Sequence, residues 1–143
     1  MNDFRHVDYH KLNARQKELH NFHKIAARLA DYGFHSMWLS DDWQGADFIA
    51  CHIDGATILR VQLKARMVLD RKYLGKGLHI AFRDGERIFV YPHDALLDWV
   101  RTRNLMDETR TFWQDQGIRS WARLPSWAED FLVPFFEIKA VRQ

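Results

Sequence analysis

The sequence predicts an α/β fold in which a central mixed β-sheet of about five strands is flanked by helices. Three observations lead there. Leu19, Phe22, Ile25, Ala26 and Leu29 recur at helical spacing near the start of the chain. Short apolar or alternating runs then follow one another, punctuated by Asp54-Gly55 and Asp84-Gly85. After Pro92 the pattern returns to a helical one, with Ala95, Leu96, Trp99 and Val100 on one side.

In chain order, residues 1–11 lack periodicity and read as an irregular lead-in. Asn13 suits a helix N-cap, with Gln16 as its capping-box partner three residues on. That helix runs to Tyr32, and Gly33 is its stop. Phe34 to Ser40 is a strand and residues 41–46 a loop. A tight hairpin from Asp47 to Lys64 turns at Asp54-Gly55, and its second strand alternates from Ala56 to Val68. Met67 to Gly77 is a basic connection, and strands Leu78–Phe82 and Arg87–Tyr91 meet across Asp84-Gly85. Asp94 then caps a helix running to Arg103. In the tail, residues 126–133 form a short helix ended by Pro134, while Phe112, Trp113, Trp121 and Trp127 close over the sheet. The whole of 1–143 is expected to be a single domain, with the core over 12–92 and a helical, Trp-rich cover over 93–143.

Hydrophobic content of 47% and aromatic content of 14% suit a chain that buries a core rather than a disordered one. No run approaches the ~20 apolar residues that span a bilayer, and the N-terminus lacks a signal-peptide core. Cys51 is the single cysteine, which excludes an intrachain disulfide and a cysteine-rich zinc site. A cytoplasmic protein without a membrane partner is the expectation. The net charge of +2 is too small to imply nucleic acid by itself. Its distribution says more: Arg60, Lys64, Arg66, Arg71, Lys72 and Lys76 face a single acid, Asp70, in one strip that can track phosphates.

Pairing the hairpin outward from Asp54-Gly55 sets Ile53 against Ala56, Ala50 against Leu59, and Asp47 against Gln62. Directly opposed residues share a face, and Lys64 projects from it two positions further on. An acid, an amide and an amine converge at one end of the hairpin. Alternation puts Leu59, Val61, Leu63 and Ala65 in the core and leaves Arg60, Gln62, Lys64 and Arg66 as a polar row on a central strand. Such a row needs partners or a functional cavity. Glu18 lies on the apolar stripe of the first helix, where a carboxylate calls for a cation or metal. These residues suit a divalent-metal phosphodiesterase centre built on Mg²⁺ or Mn²⁺. Asp47 is its central ligand, the Gln62 oxygen or a nearby carbonyl a second, and Glu18 binds directly or through water. Lys64 steadies the attacking water and the charge developing on phosphorus.

A helix Glu, then Gly-x-Asp, then a hairpin to Gln-x-Lys resembles the PD-(D/E)xK, restriction-endonuclease-like nucleases. The Gln62-Leu63-Lys64 form is similar to that of the modification-dependent, Mrr-type enzymes, whereas archaeal Holliday-junction resolvases carry an acid there. Leu39 to Ala50, with Val61-Gln-Leu-Lys64 and Tyr91-Pro-His-Asp94, also resembles a family of small uncharacterised bacterial proteins. The nuclease resemblance spans residues 12–92. It implies a restriction-endonuclease-like core, metal-dependent DNA cleavage, and the roles given above to Glu18, Asp47, Gln62 and Lys64. Arg60, Arg66, Arg71, Lys72, Tyr73 and Gln44 are the expected nucleic-acid contacts. Defence, repair or mobile-element processing is the implied setting, and a homodimer or partner subunit stays open. RNA as substrate also stays open. The alternative from another class is a non-catalytic nucleic-acid- or protein-binding module on the same fold, motivated by the amide at Gln62.

Asp41 and Asp42 are read as loop caps that could also touch a metal. In extended backbone, the His93 and Asp94 side chains are expected to point apart. His20 and His23, three apart on a helix, lack a third ligand at readable spacing. No Gly-x-Gly-x-x-Gly, Walker loop or Gly-x-Ser-x-Gly elbow is present.

Overall fold

Helix α1 (Ala14–Ala30) opens as its sequence dictates, in a computed structural model that describes residues 3–105 and 113–142. The Asn13 side chain accepts from the Gln16 N–H at 2.8 Å, and the Gln16 side chain accepts from the Asn13 N–H at 2.9 Å. Phe22, Ile25 and Leu29 are the buried face. Past the C-cap at Asp31, Gly33 takes φ +86°, and a Cβ there would sit 3.0 Å from the His52 ring.

Strand β1 (Phe34–Trp43) pairs antiparallel with β2 (Ala46–His52). The loop expected over 41–46 is therefore mostly strand. Gln44 and Gly45 both have positive φ, 57° and 87°, the condition for a two-residue type I′ turn. Between the pairs Trp38–Phe48 and Trp43–Ala46, β1 advances five residues while β2 advances two. The resulting bulge displaces the Leu39–Asp42 segment from the ladder.

Strand β3 (Ile58–Leu63) follows in the expected register, with Ala50 against Leu59 and Phe48 against Val61. The turn differs from expectation, since β2 ends at His52 and β3 begins at Ile58. Only Gly55 of the Asp54-Gly55 pair has positive φ, so a two-residue type I′ turn cannot form. Instead the Asp54 carboxylate accepts from the Ala56 and Thr57 N–H groups and the Thr57 hydroxyl. The His52 N–H bond to the Thr57 carbonyl keeps the register through the wider loop.

β3 also stops earlier than its alternation suggested. Beyond Leu63 the chain leaves the ladder after one more bond, from the Lys64 N–H to the Ala81 carbonyl. Ala65 is consequently exposed rather than in the core. The expected connection from Met67 to Gly77 contains a short strand, β4 (Val68–Asp70), and a 3₁₀ turn (Arg71–Tyr73). Strand β5 (Leu78–Asp84) then returns parallel to β3, and β6 (Arg87–Pro92) pairs antiparallel with β5. The five-stranded mixed sheet has the order β1-β2-β3-β5-β6, which makes β3 its central strand.

The two faces are covered differently. On one, α1 packs against Phe48, Ala50, Val61, Leu63 and Ala81. On the other, Ile80, Phe82, Phe89 and Tyr91 lie under α2 (His93–Thr102) and the C-terminal segment. That segment holds a short helix α3 (Trp113–Gln116), strand β7 (Ile118–Ser120) paired with β4, and α4 (Ser126–Phe135). Trp113 and Trp121 are buried in this core and Trp127 packs on it; Phe112 lies outside the described residues. Two helix details are corrected. Pro92, not Asp94, is the N-cap of α2, and Asp94 in the first turn accepts from the Gly75 N–H at 3.0 Å. α4 continues one residue past Pro134, which lacks the N–H that would bond back to Asp130 and stands where the helix is about to end. No described helix is long and apolar enough to cross a membrane.

Candidate active site at the end of the central strand

The β2–β3 register brings Asp47 beside the end of β3, where its Oδ2 accepts from the Leu63 N–H at 2.8 Å. Asp47 is half-buried. Burial pushes its carboxyl above the usual carboxylate range, the Leu63 N–H opposes that, and the charges of Glu18 and Asp42 add to it. Lys64 is half-buried as well, its Nζ 5.5 Å from the centre of the Tyr73 ring. Burial lowers its ammonium below the ordinary lysine range, as does nearby Lys72, while Asp70 and Asp47 pull the other way. Gln62 stands between them on β3, its Nε2 donating to the Leu63 carbonyl at 3.4 Å.

Glu18 corrects its expectation. Its side chain is 42% exposed and paired with Arg15 at 2.6 Å, so it does not face the core. The start of α1 lies against β1, with the Arg15 guanidinium 5.4 Å from the centre of the Trp38 ring. There Glu18 lines one cleft with Asp41, Asp42 and Asp47, and a second with Leu63 and Lys64. Asp41 and Asp42 belong to β1 rather than a loop, and both are exposed beside Asp47.

The expected nucleic-acid contacts divide in two. Arg66 and Lys72 are exposed and line a cleft with Lys64, and Gln44 is exposed at the β1–β2 turn. Three others have partners within the fold. Tyr73 is 3% exposed, packed edge-on against His93, so it is a wall of the site and not a surface contact. Arg60 donates to the Lys76 carbonyl at 2.6 Å, and Arg71 donates to the Trp113 carbonyl while lying over its ring.

Two residues gain importance that sequence reasoning did not give them. Asp70, counted there only as the single acid of the basic strip, is 5% exposed and lines the Lys64–Lys72 cleft. Lys72 reaches it at 3.7 Å. His93 is fully buried, and its Nε2 accepts from the Asp70 N–H at 2.9 Å. With Nε2 as acceptor, the proton sits on Nδ1, which donates to Asp94 Oδ1 at 2.9 Å. The pair expected to point apart is joined because both residues occupy the first turn of α2, not extended backbone. A sole acid placed directly between the apolar run Met67-Val68-Leu69 and the cations Arg71 and Lys72 was the available signal for Asp70.

No group of three or more His, Cys, Asp or Glu side chains among the described residues is placed to hold a metal ion, and that covers His20 and His23. The donor set that remains is all oxygen: the Asp47 and Glu18 carboxylates and the Gln62 amide. Hard oxygen donors suit Mg²⁺ or Mn²⁺. Asp47 carries a desolvated carboxylate close to two like charges, a condition that a cation relieves. Comparison with protein-family models, with curated proteins and with solved structures gave no significant match.

Proposed function

We propose that this chain is a divalent-metal-dependent nuclease that hydrolyses DNA phosphodiester bonds on a restriction-endonuclease-like core. The observation that carries this reading is the Asp47 Oδ2 bond to the Leu63 N–H, which holds the acid, Gln62 and Lys64 together at one end of the central strand. Asp47, Gln62 and Glu18 would hold Mg²⁺ or Mn²⁺, which when bound supplies charge neutralisation at the phosphate. Lys64 donates to a phosphoryl oxygen or to the attacking water. Its partial burial strengthens that interaction, because charges act over a lower dielectric there. Arg66, Lys72 and Gln44 track the backbone from the solvent side. Defence, repair or mobile-element processing are the settings this activity fits, and a second copy or partner subunit would supply the other strand of a duplex cut.

A second reading is favoured by one specific observation: the third oxygen donor is a neutral amide, and among the described residues no group of three acids is placed to hold a metal ion. On that reading the fold is a binding module, whose affinity falls with salt and ignores divalent metal. One experiment separates them. Wild type and Lys64→Ala are incubated with single-stranded, duplex, branched and methylated DNA and with RNA, each with Mg²⁺, Mn²⁺ or EDTA. Metal-dependent cutting lost in the variant is the expected result. Absence of cutting throughout, with both proteins folded, returns the assignment to the binding module.

A further inference from the structure

Strand β1 is one border of the five-stranded sheet and β6 is the other. The chain covers the β6 border itself. Phe89 bridges to Glu137, the Val90 N–H donates to the Phe136 carbonyl at 3.0 Å, and the Ile138 N–H donates to the Ile88 carbonyl at 2.8 Å. The β1 border has no such cover: among the described residues, its ladder partner is β2 alone. The Ile53 N–H bond to the Gly33 carbonyl sets the alternation along that pair. His35 and Met37 turn their backbone groups toward β2, so Phe34, Ser36 and Trp38 turn theirs outward. Each of the three offers an N–H and a carbonyl to a further strand.

Proteins guard an open sheet edge with charged side chains, proline or a bulge. Residues 34–40 contain no Asp, Glu, Lys, Arg or Pro. The bulge comes only after Trp38, together with Asp41 and Asp42, and leaves residues 34–38 in regular pairing. This segment also reads alike in both directions about Ser36, with an aromatic side chain two positions away on either side, Phe34 and Trp38. We infer that the outer edge of β1 pairs antiparallel with β1 of a second copy of this chain, about a two-fold axis at Ser36. Phe34 then faces the partner's Trp38, Ser36 faces the partner's Ser36, and all three outward residues bond across. The aromatic pair forms twice and stabilises the ladder. On the sheet face away from α1, Met37 faces the partner's His35, and both side chains are exposed in the single chain. The symmetric placement about Ser36 is what selects a second copy over an unrelated strand. This inference goes beyond the nuclease reading and does not rest on it.

The test is analytical ultracentrifugation of the full chain over a dilution series, for wild type and two double variants. His35→Lys/Met37→Lys sets like charges directly opposite one another on both sides of the axis. His35→Glu/Met37→Lys sets opposite charges there instead. Both positions are exposed, so the fold should tolerate either variant, and circular dichroism checks that it does. Wild type is expected to be a dimer that dissociates on dilution. Association should weaken by roughly tenfold or more in the first variant and recover in the second. A wild-type monomer at every dilution would overturn the proposal and leave the edge to a different chain. An undiminished dimer in the first variant would also overturn it, and failure of the second to recover would refute the pairing about Ser36.

Discussion

The hydroxyl of Tyr91 serves the backbone of Val68 twice, accepting from its N–H at 2.9 Å and donating to its carbonyl at 2.7 Å. Two residues on, His93 takes the Asp70 N–H in the same manner. A row of side chains from β6 and α2 therefore stands in for a strand along one edge of β4. That row positions Asp70 in the cleft shared with Lys64. Tyr91→Phe leaves a buried N–H and a buried carbonyl without partners. We expect a loss of roughly 2–3 kcal/mol, read as a lower urea midpoint at unchanged slope.

Asp47 should cost stability in order to serve the site. Its folded pKa lies above the ordinary value, so its favourable contribution is complete at low pH and is lost as pH rises through the raised value. Asp47→Asn keeps an acceptor for the Leu63 N–H and removes the repulsion from Glu18 and Asp42. We expect its Tm to exceed that of wild type at neutral pH by roughly 2 °C, after allowing for solvent screening, with the difference vanishing in acid. A lower Tm at neutral pH would refute this, and metal-dependent cleavage should be abolished in the same variant.

Lys64 sits between opposing influences that single substitutions can separate. Lys72→Gln removes a like charge and should raise the Lys64 pKa. Asp70→Asn removes an opposite charge and should lower it. Titration of ¹³C-labelled lysine by NMR reads both shifts directly, and movement in the same direction would contradict the arrangement of the cleft.

Arg87 joins three parts of the chain, reaching Glu129 of α4 at 2.8 Å and Glu137 at 3.2 Å from its place on β6. The guanidinium holds the Glu129 carboxyl below its usual range. That contribution is present above the ordinary glutamate pKa and is lost as pH falls through the lowered one. Glu129 is 43% exposed, so we expect Arg87→Gln to cost only about 1 kcal/mol at neutral pH. The deficit should shrink in acid, as followed by thermal unfolding between neutral pH and pH ~3.

Salt separates the two functional readings without any substitution. A module bound only through phosphate contacts should lose affinity in proportion to log salt, with the same slope in EDTA and in Mg²⁺. For a nuclease whose metal helps to hold the scissile phosphate, binding by fluorescence anisotropy should tighten when a non-hydrolysable substrate is offered with Ca²⁺ instead of EDTA.

What the sequence determined by itself is local. The Asn13–Gln16 box, the stop at Gly33 and the Phe48–Val61 register next to Asp47 each depend on residues close together in the chain, or on strict alternation across one hairpin. Those rules left Asp47, Gln62 and Lys64 legible as a group. Tertiary structure decided the rest. β3 ends at Leu63 and β4 forms because Tyr91 and His93, each 23 residues away, capture the backbone at Val68 and Asp70. Tyr73 is drawn inward under the same contacts, and Asp70 enters the cleft. Glu18 turns to Arg15, three residues before it on the helix and itself lying over the Trp38 ring of β1, so its partner is set by what the helix packs against. Periodicity tells which face a residue occupies. It carries no information about what waits opposite that face, and the energy of a polar side chain depends on that partner.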